Sequence, residues 1–265
     1  MLFQFRMRKM DDVTPFDEDG QPTLHWFGLT DGWYWLIVDG QETFRYTDKI
    51  LRQWGIDKDD PPYVDYYVVR LWEDVLEILP FVLNPIPPEV TAHLFPPEEW
   101  LAWFARASTW IEANLDNDEA WSLYIQATGW WSNRQLDTAY LEAAPDLTFW
   151  RTGDEMHIHW DGAGRRMEGT QVWACEYARE TLPVDTFTDR VESFHRAFFT
   201  EMRSRVDSAR KSWKRPDIEL DKTALYDEHK ERSTWLSRRL ADDPGLFADD
   251  WDRVLEAIQV LDARL

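Results

Sequence analysis

His157 and His159 stand two residues apart in the run Met156-His157-Ile158-His159-Trp160-Asp161. On a strand that spacing puts both imidazoles on one face, and two rings so placed can share a metal ion, with Asp154, Glu155 or Asp161 completing the set. Met156, Ile158 and Trp160 form an apolar face of their own. The plainer reading is therefore a strand whose polar outer side carries His157 and His159. No third ligand follows at a defined spacing, so no metal site is expected. A second constellation is Arg134, Asp137 and Tyr140, just after Trp130 and Trp131. If this stretch is helical, Arg134 and Asp137 form an i,i+3 ion pair worth about 0.2–0.5 kcal/mol on an exposed face. Joined by His157 and His159, they would make the active site of an enzyme of unknown class, provided one pocket gathers all four.

Other motifs are weaker. Asp116-Asn117-Asp118 opens like a calcium loop but lacks the later glycine and the terminal bidentate glutamate. Gly162 and Gly164 start like a dinucleotide fingerprint, yet Met167 stands where its third glycine belongs. Cys175 lies among Trp173 and Tyr177 with no adjacent cation, which suits a buried inert thiol. Neither a nucleophile elbow, a zinc-protease helix nor a phosphate-cradling loop is present. No cofactor is expected. What remains are three acidic clusters: Asp17, Glu18 and Asp19; Asp57, Asp59 and Asp60; Asp116, Asp118 and Glu119. All fall in expected loops, where binding residues concentrate, although solvated turns and helix caps have the same composition.

The elements that must position these residues are legible as patterns. Leu2 to Arg8 alternates as a half-buried strand. From Thr23 to Tyr46, two Asp-Gly pairs, Asp31-Gly32 and Asp39-Gly40, separate three aromatic and β-branched runs. That is a hairpin signal, and it predicts a three-stranded antiparallel meander. Its middle strand, Trp33 to Val38, is apolar on both faces and must be covered on both. A short helix follows over Lys49–Trp54, capped by Thr47 or Asp48 and stopped by Gly55. Further helices are expected over about Tyr63–Leu79, Glu98–Leu115, Glu119–Ala127 and Asn133–Ala143. Asp118 is the expected N-cap, and Trp130 and Trp131 lie at a break near Gly129. Leu147–Thr152, Met156–Trp160 and Val172–Thr181 read as strands. The longest helix spans about Asp185–Lys214, and two more lie near Lys222–Leu240 and Trp251–Leu265. The segment from Pro80 to Pro97 reads as a loop or short turns. The expected fold is one α+β domain over 1–265. It comprises an antiparallel sheet part (1–62), a helical part (63–146), a second β part (147–182) and a C-terminal helical part (183–265).

The chain has 265 residues, of which 17 are Trp, and a formal net charge of −21. A chain of this length buries roughly three quarters of its unfolded surface and needs no disulfide or metal to hold it. One cysteine permits no disulfide framework, as suits a reducing cytoplasm. The start carries charges with no apolar signal region, and no run approaches the ~18 apolar residues of a membrane helix. Residues 1–150 hold 26 acidic against 10 basic side chains, a balance of −16. Such a surface repels phosphate backbones, which argues against nucleic acid. It favours encounter with a basic protein.

The runs LHWFGLTDGWYW, PYVDYYVVRLWEDVLEILP, WWSNRQLDTAYL and LTFWRTGDEMHIHW, in that order, resemble an uncharacterised bacterial family of unknown function. The likeness covers nearly the whole chain and brings no established active site with it. Some of its members resemble, in size and acidity, the immunity proteins that neutralise a cognate toxin. Together with the charge, this implies a cytoplasmic protein that binds a basic toxin domain. Its contacts would be the three acidic clusters and the anchors Trp130 and Trp131.

Overall fold

The computed structural model describes residues 1–94 and 97–265. Its first sheet is built around β4 (Asp31–Val38). On one side β4 pairs with β1 (Phe3–Met7), as the N-terminal alternation predicts. β2 (Phe16–Glu18) and β3 (Gln21–Thr23) form a separate small hairpin between them in sequence. The other edge of β4 is shared by β5 (Gln41–Thr43) and, after α1 (Asp48–Trp54), by β6 (Val64–Tyr67). All these pairings are antiparallel.

The expected meander is half correct. Asp39 and Gly40 do make the β4–β5 turn, with φ of 47° and 73°, the left-handed pair that a tight hairpin requires. Asp31 and Gly32, by contrast, lie inside β4, and the preceding run ends in a short 3-10 turn over Gly28–Thr30 instead of a strand. Gly32 serves close approach. A Cβ there would collide with the Arg6 carbonyl oxygen and lie 2.7 Å from Met7 Cα, so β1 can lie against β4 only because the side chain is missing.

α1 forms as its signals require: Thr47 accepts a hydrogen bond from Ile50 N, and Gly55 closes the helix in the left-handed region. The helix expected from Tyr63 begins later. Residues 64–67 are taken by the edge of β4, and α2 runs from Val68 to Leu83, through Pro80. It is followed by α3 (Pro88–Leu94), α4 (Pro97–Glu112) and α5 (Asp118–Ser132). The Pro-rich stretch is therefore not all loop. α5 runs unbroken through Gly129, and its N-cap is Asn117, which accepts from Glu119 N and Ala120 N. Asp118 occupies the first helical turn instead. The helix expected over Asn133–Ala143 does not form. Leu136 N donates to Leu147 O, and Phe149 N to Arg134 O, so the stretch runs as irregular chain along a neighbouring strand.

That strand is β7 (Asp146–Thr152), which forms the second sheet with β8 (Glu155–Asp161) and, after the ribbon β9 (Arg166–Met167) and β10 (Thr170–Gln171), with β11 (Tyr177–Pro183). The order is β11-β8-β7, antiparallel throughout. α6 (Val184–Ser212) follows, then α7 (Lys222–Arg232), α8 (Trp235–Ala241) and α9 (Trp251–Asp262). Ser233 and Thr234 divide the helix expected over Lys222–Leu240.

The fold is α+β, with antiparallel sheets packed on helices. The apolar stripe of α6 carries Phe187, Phe194, Phe198 and Met202, all buried. It lies across both sheets, with Phe194 stacked on Phe3 at 5.2 Å. α2 sends Leu71, Val75 and Leu79 into the same core. A second hydrophobic cluster joins α4, α5 and α9 to Trp150 of β7. Its centre is a run of indoles, with Trp100 against Trp130 at 5.0 Å and Trp131 against Trp150 at 5.4 Å. Among the described residues no helix is long and apolar enough to cross a membrane.

Candidate functional site

Asp74 sits on the buried face of α2, 1% exposed, between the apolar side chains Leu71, Trp72, Val75 and Leu76. A carboxylate in such a place demands partners, and two elements supply them. One turn earlier on α2, Arg70 Nε pairs with Asp74 Oδ1 at 3.1 Å. The irregular 133–146 segment brings Tyr140, whose hydroxyl donates to Asp74 Oδ2 at 3.1 Å. That hydroxyl also lies 2.9 Å from the hydroxyl of Tyr34, a fully buried residue of β4. Arg70 extends the chain outward, pairing through Nη2 with Asp137 at 2.7 Å and lying 5.3 Å above the Tyr140 ring. Tyr66 of β6 stacks on the same Tyr140 ring at 4.9 Å. The result is a polar thread, Tyr34–Tyr140–Asp74–Arg70–Asp137, running from the core of the first sheet to the surface.

The thread opens on a cleft of about 440 Å³ between α2 and the 133–146 segment. Asp74, Glu77, Asp137 and Asp146 all line it, with Asn133 and Gln135 beside them. Burial raises the Asp74 carboxyl to about 7; Arg70 and the Tyr140 hydrogen bond oppose the shift, while Asp137 and Glu73 add to it. Burial also raises Asp146, against the pull of Arg165 at 2.6 Å. A cleft with four carboxyl groups suits a cationic group, and Asp74 can hold or release a proton near neutrality. Asp74 was invisible to motif reasoning. Its one signal is an acid on the apolar stripe of a helix, four residues after an arginine.

The residues singled out in sequence are distributed differently. Arg134 is fully buried and turns away from Asp137. Its Nη1 donates to Asp249 at 2.9 Å and to the Trp130 carbonyl at 2.6 Å, which ties the end of α5 to the approach to α9. The expected Arg134–Asp137 pair is therefore replaced by two separate pairs, because the segment is not helical. His157 lies between Thr152 Oγ1 at 2.6 Å and Thr181 Oγ1 at 3.0 Å, and stacks on Trp150 at 5.3 Å. His159 is 2% exposed, so only His157 remains on a partly open face. Arg134, Asp137 and His157 thus have their ionic and hydrogen-bonding partners in different places and do not form one constellation. Among the described residues no group of three His, Cys, Asp or Glu could hold a metal ion. Cys175 is half-buried, and burial raises its thiol.

Of the acidic clusters, Asp17 and Asp19 stand on the β2–β3 hairpin, where Asp17 accepts from Gly20 N. The Glu18 side chain lies outside the described residues. Asp57, Asp59 and Asp60 lie in the loop between α1 and β6; Asp116 lies in the turn between α4 and α5, while Asp118 and Glu119, expected in a loop, stand in the first turn of α5. All eight described side chains are exposed. The three loops occupy three different parts of the fold. Trp130 and Trp131 are each 2% exposed, inside the indole cluster, so neither presents a face to a partner; they act as core.

A model for a family of unknown function (DUF5984) matches residues 2–257, and the chain belongs to that family. No curated protein and no solved structure matches it.

Proposed function

We propose that this member of a family without an assigned activity is a cytoplasmic binding protein, of the immunity type, that neutralises a basic bacterial toxin domain by covering it. The observation that carries the reading is the carboxylate-lined cleft of Asp74, Glu77, Asp137 and Asp146, set on a chain with a net charge of −21. Arg70 pairs with two of these carboxyl groups and Arg165 with Asp146, so the four carboxyl groups outnumber the two guanidinium groups that face them. A lysine or arginine of the partner enters it as the missing cation. The exposed carboxylates elsewhere on the fold add to the net negative charge and so raise the rate of encounter. They contribute little binding energy individually, as surface charges do. Trp130 and Trp131 have no part in the contact.

The test is co-expression with the product of the adjacent gene. The expected result is rescue of growth, a complex that co-purifies, and weakening of that complex by Glu77→Lys combined with Asp137→Lys. Absence of both rescue and complex would overturn the proposal.

A further inference from the structure

A second cavity, of about 340 Å³, lies where α1, β4, β6 and the end of the 133–146 segment meet. Its walls include four aromatic rings, Trp33, Tyr46, Trp54 and Tyr63, with the carboxylates of Asp65 and Glu142 beside them. It is at the small end of ligand pockets. Ile56 and Pro61, at either end of the loop that carries Asp57, Lys58, Asp59 and Asp60, also line the cavity.

The rings are held by one another, by Met167 and by side chains behind the pocket. Trp54 donates its indole N–H to Met167 Sδ at 3.2 Å and meets Tyr46 edge-on at 5.0 Å. Tyr46 stacks on Trp173 at 4.9 Å. Tyr63 stacks on Trp35 at 4.1 Å and donates its hydroxyl to Glu42 at 2.8 Å. A cage whose walls are already fixed loses little entropy on binding. The wall also accepts a cation within the molecule. The Arg8 guanidinium lies 4.3 Å over Trp33 and holds Asp65 through two hydrogen bonds of 2.6 and 2.8 Å. Burial raises the Tyr46 hydroxyl, and Asp65 and Glu142 raise it further; with Asp65 held by Arg8, Glu142 is the carboxylate available to a guest.

We propose that this pocket binds a small alkylated ammonium group, caged by Trp33, Tyr46, Trp54 and Tyr63 and balanced by Glu142. A quaternary ammonium carries its charge without hydrogen-bond donors. It suits a site that offers π faces and a carboxylate but few acceptors to replace a hydration shell. A lysine ammonium, compact and strongly hydrated, is the poorer fit. This inference does not depend on a toxin partner: a free small cation is enough to test it, and the 133–146 cleft plays no part.

The experiment titrates the purified chain with choline and with trimethyllysine, following tryptophan fluorescence and the indole N–H signals. The neutral isostere of choline, 3,3-dimethylbutan-1-ol, serves as the control for hydrophobic filling. Saturable binding of the cations is expected, about tenfold tighter than the alcohol, with Trp54→Leu and Glu142→Gln each weakening it several-fold. Tighter binding of choline assigns the site to a free metabolite or headgroup. Tighter binding of trimethyllysine assigns it to a modified side chain. No saturable response to either cation up to about 20 mM, or an equal response to the alcohol, overturns the proposal. If Trp54→Leu does not fold, the ratio of cation to isostere on the unaltered chain still decides.

Discussion

Asp74 shows how far a single residue can depart from what its type suggests. It lies in the α2 stripe between side chains that all belong to the core, and it persists there because Arg70, Tyr140 and Tyr34 are threaded to it. Its raised carboxyl has a consequence for stability. An aspartate in the unfolded chain titrates near about 3.9, whereas Asp74 titrates at about 7 in the folded chain. Between those values the folded chain binds more protons than the unfolded one, so the contribution of Asp74 is fully present below the lower value and is lost as pH rises through the upper one. Asp74→Asn removes this dependence. Denaturant unfolding at a series of pH values should show the variant gaining on the unaltered chain by about 1 kcal/mol per pH unit between pH ~5 and ~7. A constant difference across that range would place the proton elsewhere. Sequence alone could not find this residue, because an acid four residues after an arginine reads equally well as an exposed helical pair.

At the scale of elements, two glycines separate what local patterns could and could not reveal. Both Gly32 and Gly129 read as breaks, one as a turn and one as the end of a helix, and both lie inside regular structure. Gly32 is required because β1 passes where its Cβ would be, against the Arg6 carbonyl. Gly129 is incidental: a Cβ there would rest 3.7 Å from Ile125 Cγ2, an ordinary contact. Gly32→Ala should therefore cost about 2–4 kcal/mol, while Gly129→Ala should stabilise α5 by about 0.5–1 kcal/mol. Thermal or denaturant melts of the two variants check this, and effects of the same sign would contradict it. The elements with complete local signals, such as α1 with Thr47 and Gly55, formed as expected. Those that failed were decided by distant chain. The edge of β4 drew residues 64–67 into β6, and β7 drew residues 134–136 out of a helix. A lateral hydrogen-bond partner far away in sequence leaves no periodic trace.

At the scale of the whole molecule, the α+β architecture and the helical layer were legible from alternation and from the apolar stripe of α6. The candidate site was legible only in part. The 133–146 stretch drew attention through Arg134, Asp137 and Tyr140, and two of these, Asp137 and Tyr140, do belong to the cleft network. Arg134 belongs to the junction of α5 and α9 instead, and its fully buried side chain could be assigned only once Asp249 was placed. Composition was the other guide. The charge of −21 acts over a Debye length of about 8 Å at physiological salt, so under the proposed function it would govern how fast a partner arrives more than how tightly it stays.

That kinetic consequence offers the most direct test of the account, which is that carboxylates on this surface receive a basic protein. The quantity to measure is the association rate with the adjacent gene's product, by stopped flow, as ionic strength is raised from about 0.02 to about 0.5 M. The account predicts a fall of at least about tenfold, with a smaller slope when Asp57, Asp59 and Asp60 are replaced together by Asn. A rate that does not change with salt, in a complex that nonetheless forms, would contradict it.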